Sequence, residues 1–166
     1  MTTLTLRHAT EKDADLMVGL GLVLSYFRSE NVDVFLCFEN GKAVGLSAGE
    51  TNFASQPGVC RLTTQRLALP NRFDIILALI ERQAQHGVDL KQMYASMYIS
   101  ASAQDCNRIP TAVLMDKIKT TVSNDVISFA AEGAVGCYRA NTRGLVEVVK
   151  EVGKALDAMG CVRKWE

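Results

Sequence analysis

Hydrophobic positions near the start of the chain change from strand spacing to helix spacing. Residues 4–6 alternate apolar and polar side chains, which predicts a short half-buried strand. Thr10, with Asp13 three residues later, has the form of an acidic capping box. Apolar residues then recur every three or four positions, so the pattern predicts one amphipathic helix over residues 11–28, which two internal glycines weaken.

The next segment has the pattern of a β-meander. Val32 to Glu39 is rich in β-branched and aromatic residues, and Asn40-Gly41 is a strong signal for a hairpin turn. Residues 43–50 supply the returning strand, and a further strand is predicted over 59–69. The sequence therefore predicts three consecutive strands after the first helix.

The rest of the chain alternates between helix and strand patterns. Predicted helices cover about 72–86, with Gly87 as a C-terminal cap, and 105–119, and a last helix holds the apolar residues of 145–156 and closes at Gly160. Predicted strands cover 90–100, 122–130 and 134–139.

The resulting order is β-α-β-β-β-α-β-α-β-β-α, which predicts an α/β (α+β) fold with helices flanking a mixed central sheet of six to seven strands. The strands at 59–69 and 90–100, joined by a helix, should be parallel. We expect one domain over residues 1–166, with a core at about 3–130 and an extension at about 134–160.

Composition narrows the possible functions without selecting one. The formal net charge is zero, so no overall field favours nucleic acid or an acidic membrane. No apolar run is long enough to span a membrane, and five widely spaced cysteines with two histidines show no recognised zinc spacing. We therefore expect a cytoplasmic protein with free thiols and no metal.

Four segments, in order, resemble the GNAT acyltransferase family. They contain its opening strand and helix start, its second hairpin, its donor-binding strand, loop and helix, and its later helix. The segments read LTLRHATEKDAD at 4–15, FENGKAVGLSAG at 38–49, LALPNRFDIILALIERQAQHGVDL at 67–90 and NRIPTAVLMDKI at 107–118.

The resemblance implies an acyl-CoA-dependent N-acyltransferase, with acetyl-CoA or another acyl-CoA as co-substrate and a small-molecule or protein amine as acceptor. The strand at 59–69 would diverge from its neighbour at a bulge and pair with the pantetheine arm. The following loop would hold the pyrophosphate at a helix N-terminus. The positions that the resemblance assigns to the donor are Leu67, Leu69, Asn71, Arg72, Phe73, Asp74 and Asn107.

The chain departs from the family pattern at two places. No glycine occurs between Leu69 and Leu77, where the family has its glycine-rich phosphate loop, and Asp74 adds a negative charge that Arg72 could partly offset. The later helix has Met115 where many family members have the tyrosine that protonates the leaving thiolate.

The candidate catalytic residues are Glu50 as general base and Tyr98 as a substitute acid. Glu50 could equally be a solvated glutamate at a strand end. Because the phosphate loop is missing, the alternative function is an inactive GNAT-like binding or assembly module. The apolar stripe of the last helix either folds back on the sheet or packs on another subunit, as in a homodimer.

Overall fold

The structure is a computed structural model, and it describes residues 1–52, 59–69, 72–91, 94–100, 127–132 and 135–166. A 3-10 turn at Glu11–Asp13 precedes the first helix. The helices are α1 (Ala14–Gly19), α2 (Leu24–Phe27), α3 (Phe73–Asp89) and α4 (Thr142–Ala158). The strands are β1 (Thr2–His8), β2 (Val32–Glu39), β3 (Lys42–Glu50), β4 (Val59–Leu67), β5 (Tyr94–Ser100), β6 (Ile127–Glu132), β7 (Val135–Asn141) and β8 (Cys161–Trp165). The helix predicted at 105–119 lies outside the described residues.

The strands form one eight-stranded mixed sheet in the order β6-β7-β5-β4-β3-β2-β1-β8. β4 and β5 are parallel, as the strand-helix-strand pattern predicted. The fold class is therefore confirmed. The sheet has one strand more than the upper end of the predicted range, because residues 161–165 pair in parallel with β1.

Helices cover both faces of the sheet. The larger apolar cluster lies between the sheet and the two long helices, α3 and α4, and includes Leu4, Leu6, Phe35, Cys37, Ile75, Leu79, Leu145, Val148, Val152 and Leu156. The opposite face packs beneath the short helices α1 and α2 through Met17, Leu22, Val34, Leu36, Leu46 and Ala48. Alternate residues of β2 thus enter different layers, as the two-residue period of a strand requires.

The predicted hairpin between β2 and β3 is confirmed. Asn40 has a φ of 51° and Gly41 a φ of 77°, so both turn residues adopt the left-handed conformation that this turn requires. The capping box at Thr10 and Asp13 is present as well. These short-range predictions succeeded because the chemistry that decides them lies within a few residues.

Two predicted helix boundaries are wrong. The single helix predicted at 11–28 is a 3-10 turn followed by two short helices, and Gly21, with a φ of 89°, lies in the break between them. Gly87 does not cap α3, because the helix continues to Asp89 and Gly87 is buried within it. Packing of α3 against the sheet outweighs the weak helix propensity of glycine.

The last helix packs within its own chain. The buried residues of α4 lie in the same cluster as those of α3, so the apolar stripe folds back on the core, which was one of the two expected arrangements. After α4, Gly160 adopts a φ of 71° and directs the chain into β8. None of the described helices is long and apolar enough to cross a membrane.

Candidate active site

Strands β4 and β5 pair over only part of their length. Their register joins Val59 to Tyr94 and ends at the pair of Leu62 and Met97. β4 continues to Leu67 beside β3, and β5 continues to residue 100 beside β7. The described residues therefore show no pairing between the second halves of two parallel neighbours, which leaves a gap in the sheet.

A bulge in β4 lies at the point where this gap begins. Ala48 of β3 is opposite Thr64 while Gly49 is opposite Leu62, so Thr63 is an extra residue on β4. A bulge bends its strand and increases the local twist. The bulge is therefore a sufficient physical reason for β4 to diverge from β5 after Leu62.

Glu50 lies at the end of β3, level with Arg61 in the register of the sheet. Its side chain is half-buried, and its Oε1 accepts a hydrogen bond of 2.9 Å from the hydroxyl of Tyr26. Ala48 and Leu46, two and four positions earlier, pack against the α1–α2 layer, and Tyr26 belongs to α2. The structure thus places the candidate base beneath α2 rather than as a free solvated glutamate.

Tyr26 is the residue of this site that sequence reasoning missed. In one continuous helix it would be another member of an amphipathic pattern. The break after α1 makes α2 a separate turn, and Tyr26 of that turn meets the end of β3. The two glycines inside the predicted helix were the available signal for this break.

Tyr98, the candidate acid, lies on β5 one residue beyond the last pair with β4. Its backbone pairs with Cys137 of β7 on the other side. Tyr98 is therefore the first residue of β5 that borders the gap. Asn71 and Asn107, two of the predicted donor-binding residues, lie outside the described residues.

The other predicted donor-binding residues lie at the end of β4, shortly after it, and around the first residue of α3. Leu67 ends β4 level with Gly45 and is half-buried, whereas Leu69 is 47% exposed. Phe73 is the first residue of α3 and is half-buried. The described part of this segment therefore runs from the end of β4 to the start of α3, and the donor-binding roles of its residues stay a prediction.

Arg72 precedes α3 and is held by two carboxylates. Its Nη1 and Nη2 donate to Glu39 at 3.1 and 2.7 Å, and its Nε and Nη2 donate to Asp74 at 3.0 and 2.9 Å. The three side chains are between 14% and 25% exposed. Two negative charges therefore enclose one positive charge beside the helix N-terminus.

The pKa shifts agree with this geometry. Hydrogen bonds to Glu39 and Asp74 raise the pKa of Arg72, and the hydrogen bond from Arg72 lowers the pKa of Glu39. Burial opposes the charge of Asp74, but hydrogen bonds from Arg72 and from the backbone amides of residues 74 and 75 outweigh it, so its pKa is lowered. Asp74 thus places a negative charge in the first turn of α3, where a phosphate would otherwise be favoured.

A surface cavity of about 420 Å³ lies away from this gap, beside β8 at one edge of the sheet. Its charged lining is already paired, since Arg163 donates to Glu81 at 2.9 and 3.0 Å and to Asp157 at 2.7 Å. The cavity therefore lacks the available polar groups that a catalytic site needs.

No family model and no curated protein matches this sequence. Solved structures do match its fold. The ribosomal-protein-S18-alanine N-acetyltransferase of Escherichia coli is similar with a TM-score of 0.61 at 11% identity, over 84% of this chain and 94% of that one. A spermidine N-acetyltransferase variant from Vibrio cholerae gives 0.60 at 11%, over 86% and 96%.

A Bacillus subtilis acetyltransferase in complex with CoA gives a TM-score of 0.57 at 10% identity, over 83% of this chain and 98% of that one. These values, together with the strand order, show that the chain has the fold of the GNAT acetyltransferases. Identities this low establish the fold, and the chemistry of the site has to be argued from its own residues.

Proposed function

We propose that this protein is an N-acyltransferase that takes an acyl group from an acyl-CoA-type thioester bound in the gap between β4 and β5. The observation that carries the proposal is the end of β4–β5 pairing after Leu62 and Met97, beside a bulge in β4. Backbone groups of β4 that face such a gap can pair with the two amides of a pantetheine arm.

The acceptor in this proposal is a primary amine that approaches from the α1–α2 face of the sheet. Glu50 takes a proton from the amine, and Tyr26 holds the carboxylate in position through their 2.9 Å hydrogen bond. The amine nitrogen then bonds to the acyl carbon as the carbon–sulfur bond breaks. Tyr98, beside the gap, supplies the proton that the leaving thiolate requires.

The start of α3 fits the phosphate end of CoA less well than the gap fits its pantetheine. Arg72 is neutralised by two carboxylates, and one of them, Asp74, lies in the first turn of the helix. A pyrophosphate at this helix start would have to compete with Asp74 and Glu39 for Arg72 and overcome one surplus negative charge. We therefore propose that most of the donor affinity comes from the acyl-pantetheine portion.

Calorimetric titration with acetyl-CoA and with acetyl-pantetheine, which lacks the adenosine diphosphate, tests the donor proposal. We expect both to bind with affinities within about tenfold of each other, because the phosphates find no ready site. A much tighter affinity for acetyl-CoA would refute the proposal about the phosphates. Failure of both to bind at millimolar concentration would refute the enzyme proposal and favour the alternative of a binding or assembly module.

The catalytic roles are tested in a thioester-turnover assay with a panel of amines. Glu50→Gln should lower kcat by about 10²-fold or more with little change in thioester affinity, because it removes a proton acceptor. Glu30→Gln, a change at an exposed glutamate, is the matched control. Equal turnover by the two variants would show that Glu50 is not the base.

A further inference from the structure

Three potential metal ligands meet at the other end of α3. His8 ends β1, Asp33 is the second residue of β2, and His86 lies in the last turn of α3. His86 Nε2 lies 3.0 Å from Asp33 Oδ2, and His8 Nε2 lies 4.0 Å from Asp33 Oδ1. One ligand atom from each of the three residues lies within 4.8 Å of the other two.

The fold, and not the local sequence, creates this cluster. The register of the sheet places His8 opposite Phe35, two residues after Asp33, so the three residues share a small area at one end of β1 and β2. The buried ring of Phe35 contacts the His8 ring at 4.1 Å and the His86 ring at 5.3 Å between centroids. Both imidazoles therefore pack against one rigid side chain.

A hydrogen bond between His86 and Asp33 explains only part of the arrangement. His8 is too far from Asp33 for a hydrogen bond, and its imidazole has no hydrogen-bond partner among the described residues. The chain contains only two histidines, and both are here, 5.1 Å apart between ring centroids. Packing on Phe35 does not by itself require a second imidazole beside the carboxylate.

We propose that His8, Asp33 and His86 bind a divalent transition-metal ion, for which zinc is the best match. Two imidazoles and one carboxylate form a common zinc ligand set, with a fourth position open to water. Ligand atoms around tetrahedral zinc are separated by about 3.4 Å, a spacing within the range seen here. The side chains of His8 and Asp33 are 46% and 32% exposed, so an ion can enter from solvent.

One positive charge lies close to this site. The guanidinium carbon of Arg82 lies 4.4 Å from the centre of the Phe35 ring, and its Nε and Nη1 have no hydrogen-bond partner among the described residues. The charge opposes a bare cation, whereas a metal-bound hydroxide or another anionic fourth ligand would be favoured beside it. We therefore expect the fourth ligand of the proposed metal to be anionic, as a bound hydroxide would be.

The proposed metal site is separate from the proposed acyl-donor gap. Phe73 and His86 are thirteen residues apart on α3, which corresponds to about 20 Å along the helix. A metal here would tie β1, β2 and the end of α3 together and would stabilise the fold. Spacing along the sequence gives no indication of it, because residues 8, 33 and 86 are far apart in the chain.

The test uses the full chain, freed of metal by a chelator and then titrated with zinc chloride. We expect one zinc ion per chain and a melting temperature that rises by about 5 °C or more at a hundredfold excess over Kd. Because five cysteines could also bind zinc, the imidazole NMR signals decide the location. Both histidine side chains should shift together at one equivalent.

Matched variants complete the test. Asp33→Asn and His86→Gln should each weaken zinc binding by at least about tenfold, whereas Asp89→Asn, a change at an exposed acid in the same helix turn, should not. Circular dichroism would establish that each variant is folded before titration. Unmoved imidazole signals, or equal zinc affinity in His86→Gln and Asp89→Asn, would overturn the proposal.

Discussion

The two ends of helix α3 hold different kinds of polar cluster. At the N-terminal end, the guanidinium of Arg72 donates four hydrogen bonds of 2.7 to 3.1 Å to Glu39 and Asp74. At the C-terminal end, Asp33 bonds His86 at 3.0 Å while His8 remains at 4.0 Å. The guanidinium of the first cluster has carboxylate partners within the chain, whereas the second cluster leaves the His8 imidazole without a hydrogen-bond partner among the described residues.

This difference distinguishes polar side chains that bond within the chain from polar side chains that could still bind a ligand. Arg72 is one of the positions that the resemblance assigns to the donor, and its guanidinium already bonds Glu39 and Asp74 inside the chain. His8 and His86 had no predicted role, yet the fold gathers them around one carboxylate. A polar side chain is therefore better judged by the bonding capacity that the folded chain leaves unused than by its residue type.

We expect the largest loss of stability from removing the partner of a buried carboxylate in the middle of α3. Glu81 is 6% exposed, and Arg163 of β8 binds it with two hydrogen bonds. Arg163→Met should lower the free energy of unfolding by about 3 kcal/mol, because it leaves a buried carboxylate unpaired. Urea denaturation at neutral pH measures the change.

Arg28→Met is the control for this prediction. Arg28 pairs with Glu11 at 2.6 Å, but both side chains are more than half exposed. Its replacement should cost less than about 1 kcal/mol. Equal losses in the two variants would mean that burial along α3 does not determine the strength of these pairs.

Acid should weaken a second satisfied pair, on the other face of β1. Arg7, next to His8, donates to Asp13 at two distances of 2.8 Å, and its hydrogen bond lowers the pKa of Asp13 to about 2, although burial opposes the shift. The carboxyl pKa is lower in the folded state than in the unfolded state. The pair should therefore contribute about 2 kcal/mol above pH 4.

That contribution should be lost as the pH falls from about 4 to about 2. Stability measured against pH for the wild type and for Asp13→Asn gives the test, since the difference between them should shrink over that interval. A difference that stays constant between pH 6 and about pH 2 would contradict the assignment.

At the N-terminal end of α3, Arg72→Met should destabilise the protein by about 1.5 kcal/mol at pH 7. Two partly buried carboxylates would then remain without their shared partner. Since the pKa values of Glu39 and Asp74 are both lowered in the folded state, the cost should diminish as acid protonates them. Denaturation at about pH 3 and pH 7 would reveal the trend; a cost that grows in acid would contradict it.

Sequence reasoning reached the features that depend on neighbouring residues. The hairpin at Asn40-Gly41 and the capping box at Thr10 were predicted because a few adjacent residues determine each of them. The clusters on α3 join residues 33 and 53 positions apart, so only the folded chain brings them together. Strand β8 was missed because residues 161–165 become a strand only by pairing with β1.

The smallest effect is expected at the C-terminal end of α3, without metal. His86→Gln keeps a side chain that can donate to Asp33, and His86 contacts Phe35 only by the edge of a ring. We expect a loss below about 1 kcal/mol in the metal-free protein. Zinc should stabilise the wild type and leave this variant nearly unchanged, so the difference in stability between them should increase with added metal. A metal-free loss larger than that of Arg72→Met would show that the histidine cluster is a structural element like the N-terminal one, because its bonds would already be contributing to stability with no ion present.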